Sequence, residues 1–142
     1  MLKKTIKYED FDGITREEDF YFNLTKSELT EWQLSQDGGL DNMLQRIVQE
    51  KRVPEIIKYI KDFILKAYGE KSDDGKKFMK SEEISHGFYC SAAYSELFMD
   101  VVASPKSAMS FINGVLPEDV RRQIAEQQDQ AKSQIEATNV EN

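Results

Sequence analysis

The stretch PEIIKYIKDFILKAYG, from Pro54 to Gly69, is the most apolar run in a chain that is otherwise polar. Its apolar side chains recur at the spacing of a single helical face, which predicts an amphipathic α-helix. The members of this stripe are Ile56, Ile57, Ile60, Phe63, Ile64, Ala67 and Tyr68. Pro54 suits the first turn of a helix, and Gly69 suits a left-handed C-terminal cap. We expect the other segments to pack around this helix.

The composition favours one packed domain. The chain has 142 residues, 39% of them hydrophobic, with eight Phe, six Tyr and one Trp, which is enough to build a core. Its single cysteine has no intramolecular disulfide partner, and this suits a reducing cytosol. The first residues lead directly into strand-like alternation, so we expect neither a signal peptide nor a membrane span.

The net charge of −7 is unevenly distributed. Residues 51–80 hold nine basic and five acidic side chains, whereas acidic residues dominate both flanking segments. We interpret the basic segment as a solvated lysine-rich helix face followed by a basic loop. The alternative is a basic surface that meets an acidic partner or another copy of the chain. Nucleic acid is not an expected partner, because the acidic flanks would repel its phosphates.

The predicted fold class is α+β and mainly α, with an N-terminal β-hairpin packed on a bundle of about five or six helices. Alternating side chains predict the hairpin over residues 2–24, with a turn near Asp10–Gly13. Helices are expected over residues 25–114, starting at a Thr25–Glu28 capping box and, further on, at Ser81 and Ser104.

The remaining boundaries follow from composition. Residues 70–77 are rich in charged residues, Gly and Ser, which predicts an exposed polar loop. Residues 1–116 should form a single globular domain. Residues 117–142 should form a polar C-terminal helix or tail, frayed from about Val120 and disordered towards the end.

Candidate catalytic chemistry is scarce. His86 and Cys90 are the only residues of their kind, and their spacing places them on one helical face. We nevertheless expect a buried cysteine and a partly exposed histidine, since no third orienting group is evident. The Asp73–Gly75 segment lacks the glutamate that would complete a calcium loop. The sequence therefore predicts no catalytic, cofactor-binding or metal-binding residues.

Three runs of sequence resemble the tail assembly chaperones of long-tailed bacteriophages that infect Gram-positive bacteria. The runs are EDFYFNLTKSEL (residues 18–29), LKAYGEKSDDGKKF (residues 65–78) and AYSELF (residues 93–98). The likeness covers about residues 1–117. It implies a non-enzymatic helical protein with a small β element, made in the host cytoplasm and absent from the mature virion.

The resemblance also implies partners. Members of the family bind the tape-measure protein, keep it soluble and help recruit tail-tube subunits during tail morphogenesis. A first alternative is a small phage regulatory or adaptor protein that binds a host protein. A second is a thiol-dependent enzyme centred on Cys90. An open hairpin edge would also be compatible with a homo-oligomer.

Five apolar residues are candidates for contacts with a partner. They are Phe11, Ile14 and Tyr21 near the hairpin, and Tyr59 and Leu65 on the less apolar side of the long helix. An amphipathic client helix could cover such residues in a helix-in-groove manner. Ordinary core or subunit packing is the competing interpretation for each of them.

Overall fold

The computed structural model describes residues 1–50 and 52–126, which hold four strands and seven helices. The strands are β1 (Leu2–Glu9), β2 (Thr15–Phe22), β3 (Tyr68–Lys71) and β4 (Phe78–Met79). The helices are α1 (Lys26–Gln33), α2 (Gly39–Gln49), α3 (Val53–Ala67), α4 (Glu82–Tyr89), α5 (Ala92–Val102), α6 (Pro105–Val115) and α7 (described over residues 118–126). This architecture confirms the predicted fold class.

The four strands form one sheet in the order β1-β2-β3-β4. The hairpin is antiparallel, and its register runs from Leu2 opposite Phe22 to Glu9 opposite Thr15. β3 joins β2 through only two residue pairs and continues into the very short β4. Because side chains alternate along a strand, one face of the hairpin contributes Ile6 and Phe22 to the core. The opposite face is left to solvent.

Helix α3 lies at the centre of the core, as its sequence predicts. Phe63 and Ile64 on its buried face are 1% and 0% exposed. The ring of Phe63 lies 6.2 Å from that of Phe111 on α6 and 6.5 Å from that of Trp32 on α1. Phe111 in turn contacts Phe22 of the hairpin at 5.2 Å. The aromatic contacts thus connect α1, α3, α6 and the sheet through one helix.

The predicted role of Gly69 as a left-handed cap is wrong. Helix α3 ends at Ala67, and Gly69 lies in β3 without a positive φ. A Cβ atom on Gly69 would lie 2.7 Å from the Phe78 ring and 2.8 Å from the carbonyl oxygen of Met79. Glycine is therefore required because β4 approaches the backbone closely.

The predicted loop over residues 70–77 is only partly a loop. Its first two residues belong to β3, and the remainder forms a tight turn before β4. The carboxylate of Asp74 accepts hydrogen bonds from the Ser72 hydroxyl at 2.7 Å and the Lys76 amide at 3.0 Å, and Gly75 has a φ of 74°. Strands of two to four residues are too short to produce a recognisable alternation.

The predicted N-terminal helix caps at Thr25, Ser81 and Ser104 are confirmed. In α1 the Glu28 amide donates to the Thr25 hydroxyl at 3.2 Å, and the Thr25 amide donates to the Glu28 carboxylate at 3.1 Å. Ser81 and Ser104 accept equivalent bonds at the starts of α4 and α6. The Glu28 carboxylate also pairs with the Lys80 ammonium at 2.5 Å.

The Lys80 ammonium makes a second contact. It donates to the carbonyl oxygen of Asn23 at 2.6 Å. Together the two bonds link the start of α1, the end of β2 and the segment after β4.

Helix α7 lies against α1. Val120 and Ile124 pack against the core, and Lys26 forms an ion pair with Asp119. The predicted division at residue 116 stays a prediction. The tail that we expected to be disordered falls mainly on residues 127–142, which lie outside the described residues.

Candidate partner-binding surface

The turn between β1 and β2 presents two large apolar side chains to solvent. Phe11 is 84% exposed and Ile14 is 52% exposed; we call this pair the apolar tip. The Asp10 carboxylate fixes the backbone beneath the pair by accepting from the amides of Asp12 and Ile14, both at 2.9 Å. The Asp10 amide also donates to the Ile14 carbonyl at 2.9 Å. Gly13, with a φ of 82°, allows the chain to turn back.

An ion pair holds this turn in place. Arg16 Nε donates to Asp10 Oδ2 at 2.6 Å. This hydrogen bond, together with the one from the Ile14 amide, holds the pKa of Asp10 below its ordinary value of 3.8. The carboxylate is therefore ionised at neutral pH, where it accepts all of these bonds. The apolar tip is consequently carried on a preorganised turn.

The other predicted contact residues lie elsewhere. Tyr21, near the opposite end of β2, is half-buried, with the Lys71 ammonium 5.1 Å from its ring centre. Tyr59 on α3 is half-buried and accepts a hydrogen bond from Arg46 at 3.4 Å. Leu65, also on α3, packs against the core. The structure thus brings together only the two residues of the apolar tip.

Several exposed apolar side chains were not anticipated. Leu34 after α1 is 83% exposed, and Met99 on α5 is 62% exposed. Val48 at the end of α2 and Val53 at the start of α3 are 85% and 63% exposed. In the sequence, these exposed residues belong to the same kinds of apolar pattern as buried residues do. The pattern alone therefore does not distinguish exposed apolar residues from buried ones.

His86 and Cys90 are in contact on the surface of α4. The Cys90 sulfur lies 3.4 Å from His86 Nε2, and both side chains are exposed. The prediction of a buried cysteine is therefore wrong, because α4 turns its Phe88 face to the core instead. Among residues 1–50 and 52–126, no acidic side chain hydrogen-bonds to His86 and no cluster of three potential metal ligands occurs. Within the described residues, the pair is therefore without a third group that would orient a catalytic histidine.

The apolar tip, a pair of exposed side chains on a small, mainly helical domain, is a candidate contact for a partner protein. Within the described part of the chain, no helix has the length and apolarity needed to cross a membrane.

A family model described as phage tail assembly chaperone matches residues 1–142. The chain therefore belongs to the phage tail assembly chaperone family. This confirms the resemblance and extends it beyond residue 117 to the whole sequence. No curated protein and no solved structure matches the chain. A chaperone family is consistent with a role that requires no catalytic residues.

Proposed function

We propose that this tail assembly chaperone binds the tape-measure protein, keeps it soluble and helps recruit tail-tube subunits to it. It would act in the host cytoplasm and be absent from the mature virion. The observation that carries the proposal is the apolar tip, where Phe11 and Ile14 are held in water by a preorganised turn. Tyr21, Tyr59 and Leu65 are further candidate contacts of the same proposal.

The proposed mechanism is the temporary covering of apolar surface. A tape-measure protein is long and helical, and its apolar stripes would associate wrongly before the tube encloses them. Phe11 and Ile14 would pack into such a stripe as anchors. The neighbouring strand residues 15–19 are all exposed and include three acidic side chains. These acidic residues, with the net charge of −7, would keep the complex in solution.

The expected affinity of one tip is low. Burying one large apolar side chain contributes about 1.5–3 kcal/mol, so the two together contribute about 3–6 kcal/mol before the cost of association. That range corresponds to dissociation constants no tighter than tens of micromolar. Stable protection of a long client would therefore need several copies of the chaperone along its length. Weak individual contacts also let incoming tube subunits displace each copy.

Co-expression with the tape-measure protein tests the proposal. We expect the soluble fraction of the tape-measure protein to rise with the wild-type chain and to rise much less with Phe11→Ser/Ile14→Ser. Met99→Ser is the matched control, because Met99 is also exposed but lies on α5. A tape-measure protein that is equally soluble with and without the chain would contradict the proposed function. Full activity of the double variant would instead exclude the apolar tip as the contact.

A pull-down from infected cells tests the main alternative. Retention of tail proteins supports the proposed function. Retention of a host protein and no tail protein would favour an adaptor role in its place.

A further inference from the structure

Strand β1 has an open edge. It is the first strand in the order β1-β2-β3-β4 and pairs only with β2 among the described residues. The Asp10 amide bonds to the Ile14 carbonyl in continuation of the hairpin register. Backbone groups point alternately to one side and the other in an antiparallel pair, so the even-numbered residues of β1 bond to β2. The odd-numbered residues, which aim their N–H and C=O groups at the open edge, are Lys3, Thr5, Lys7 and Glu9.

A groove of about 590 Å³ runs beside this edge, between β1 and helices α5 and α6. Side chains that are at most 7% exposed contribute the apolar part of its lining: Ile6, Leu97, Val101 and Phe111. Charged side chains also line it: Lys4, Lys7, Glu96, Asp100 and Lys106. A strand added to β1 would point every second side chain towards this groove. The groove therefore offers room for side chains of an extended segment over a small apolar floor, with charged groups also in its lining.

The charged side chains of β1 indicate which side chains an added strand should carry. Lys3 and Lys7 are exposed on the outer face of the hairpin. Within the hairpin, β2 already places acidic residues beside β1 on that face, with Glu17 opposite Lys7 and Asp19 opposite Thr5. Opposite charges across two strands stabilise their pairing, whereas like charges oppose it. The two lysines therefore favour an acidic strand, and they would oppose each other in the register that centres two β1 edges on Thr5.

We propose that the open edge of β1 binds an extended segment of a partner protein by adding a strand to the sheet. The outward side chains of this segment are acidic, and its inward side chains are small and apolar. Main-chain hydrogen bonds to the odd-numbered residues supply affinity, and the groove supplies selectivity. This surface is separate from the apolar tip, and its existence does not depend on the identity of the chaperone's client.

Hydrogen exchange measured by NMR tests the proposal with a defined probe. The probe is an acetylated and amidated octapeptide of alternating glutamate and valine. At about ten times its dissociation constant, we expect exchange at the amides of Lys3, Thr5, Lys7 and Glu9 to slow roughly tenfold. Amides of the even-numbered residues of β1 are the internal control, since they are already bonded to β2. No binding of the probe at millimolar concentration, or binding without protection of these four amides, would overturn the proposal.

A matched pair of variants tests the backbone contact. Thr5→Pro removes one outward N–H, a change that edge strands tolerate. Thr5→Val keeps that N–H and removes only the hydroxyl, which hydrogen-bonds to Asp19 at 2.5 Å. We expect Thr5→Pro to weaken binding of the probe about tenfold or more and Thr5→Val to leave it nearly unchanged. Equal binding by the two variants would mean that the peptide does not pair with the edge.

Charge neutralisation tests the chemistry of the occupant. We expect Lys3→Gln/Lys7→Gln to weaken binding of the glutamate–valine peptide several-fold at low salt and to flatten its salt dependence. Lys58→Gln/Lys76→Gln is the control, since these exposed lysines lie on α3 and in the turn before β4. Unchanged binding by the first pair would exclude an acidic strand as the preferred partner.

Discussion

Helix α3 and the half of the hairpin around its turn are stabilised in different ways. We call this half, residues 7–17, the far half of the hairpin. The buried face of α3 contains Phe63 and Ile64, almost fully removed from water. Across residues 7–17, by contrast, only Tyr8 and Asp10 are even half-buried. That half of the hairpin depends on strand pairing and on the hydrogen bonds of its turn. The comparison indicates that the core can hold the fold while the far half of the hairpin remains available for partners.

Among the changes that test this difference, truncation of a core side chain should have the largest effect on the free energy of unfolding. We expect Phe63→Ala to lower the free energy of unfolding by about 3–5 kcal/mol, because it leaves a cavity among the aromatic rings. Chemical denaturation measures the loss, with Met99→Ala as an exposed control that should change stability by less than about 0.5 kcal/mol. A loss below about 1 kcal/mol for Phe63→Ala would show that α3 is not the centre of the core.

Two glycine substitutions should have opposite effects. Gly69→Ala places a Cβ against β4 and should destabilise the protein by about 1–3 kcal/mol through overpacking. Gly87 lies in α4, and a Cβ there would meet no atom within 4 Å. Gly87→Ala should therefore stabilise the protein by about 0.4–1 kcal/mol. Thermal or chemical unfolding of both variants provides the test, and effects of the same sign would contradict the close approach at Gly69.

The ion pair of Glu28 should make stability depend on acidic pH. Burial alone would raise the pKa of Glu28, but hydrogen bonds from Lys80 and Thr25 outweigh it and lower the pKa below 4.5. The pKa of Lys80 is lowered, chiefly by burial, so the buried ammonium offsets part of the gain. Since the unfolded state binds the Glu28 proton first, this contribution is complete above pH 4.5 and is lost as the pH falls through the lower folded-state pKa.

The variant Glu28→Gln isolates this effect, because glutamine can keep the capping box. We expect it to cost about 1 kcal/mol at pH 7 and to flatten the acid dependence of stability. Urea unfolding between pH 3 and pH 7 measures both quantities, with Glu31→Gln on the same helix as control. An acid dependence identical to that of the wild type would remove Glu28 from the explanation.

The smallest effect on stability should come from the apolar tip. We expect Phe11→Ser/Ile14→Ser to change the free energy of unfolding by less than about 0.5 kcal/mol, because neither side chain belongs to the core. Circular dichroism and chemical denaturation of the variant check this. A variant that unfolds would mean that the fold depends on the far half of the hairpin and is not held by the core alone.

Sequence reasoning was most successful where one local rule was sufficient. The spacing of apolar residues predicted α3, and the Thr25–Glu28 pattern predicted the start of α1. It failed at Gly69 because a close contact with Phe78, nine residues further on, decides that position. Judged from the neighbouring residues alone, Gly69 is equally compatible with the role of a helix cap.

The candidate surfaces were harder to predict. Phe11 and Ile14 follow from turn chemistry next to apolar residues, so the sequence could identify the apolar tip. The exposure of Val48 could not be predicted, because it lies eight residues after buried Leu40, a spacing typical of one helical face. The groove beside β1 requires helices that are about 90 residues away in sequence to pack near the first strand. Such long-range packing leaves no trace in the periodicity of either segment.

The position of Lys80 has a consequence for how the domain opens. Its ammonium joins Glu28 at the start of α1 to the carbonyl of Asn23 at the end of the hairpin. Fraying of α1 alone would leave a partly buried cation without its carboxylate, which is costly. The first turn of α1, the base of the hairpin and the segment after β4 are therefore coupled into one cooperative unit, which a protease would cut only after they separate together.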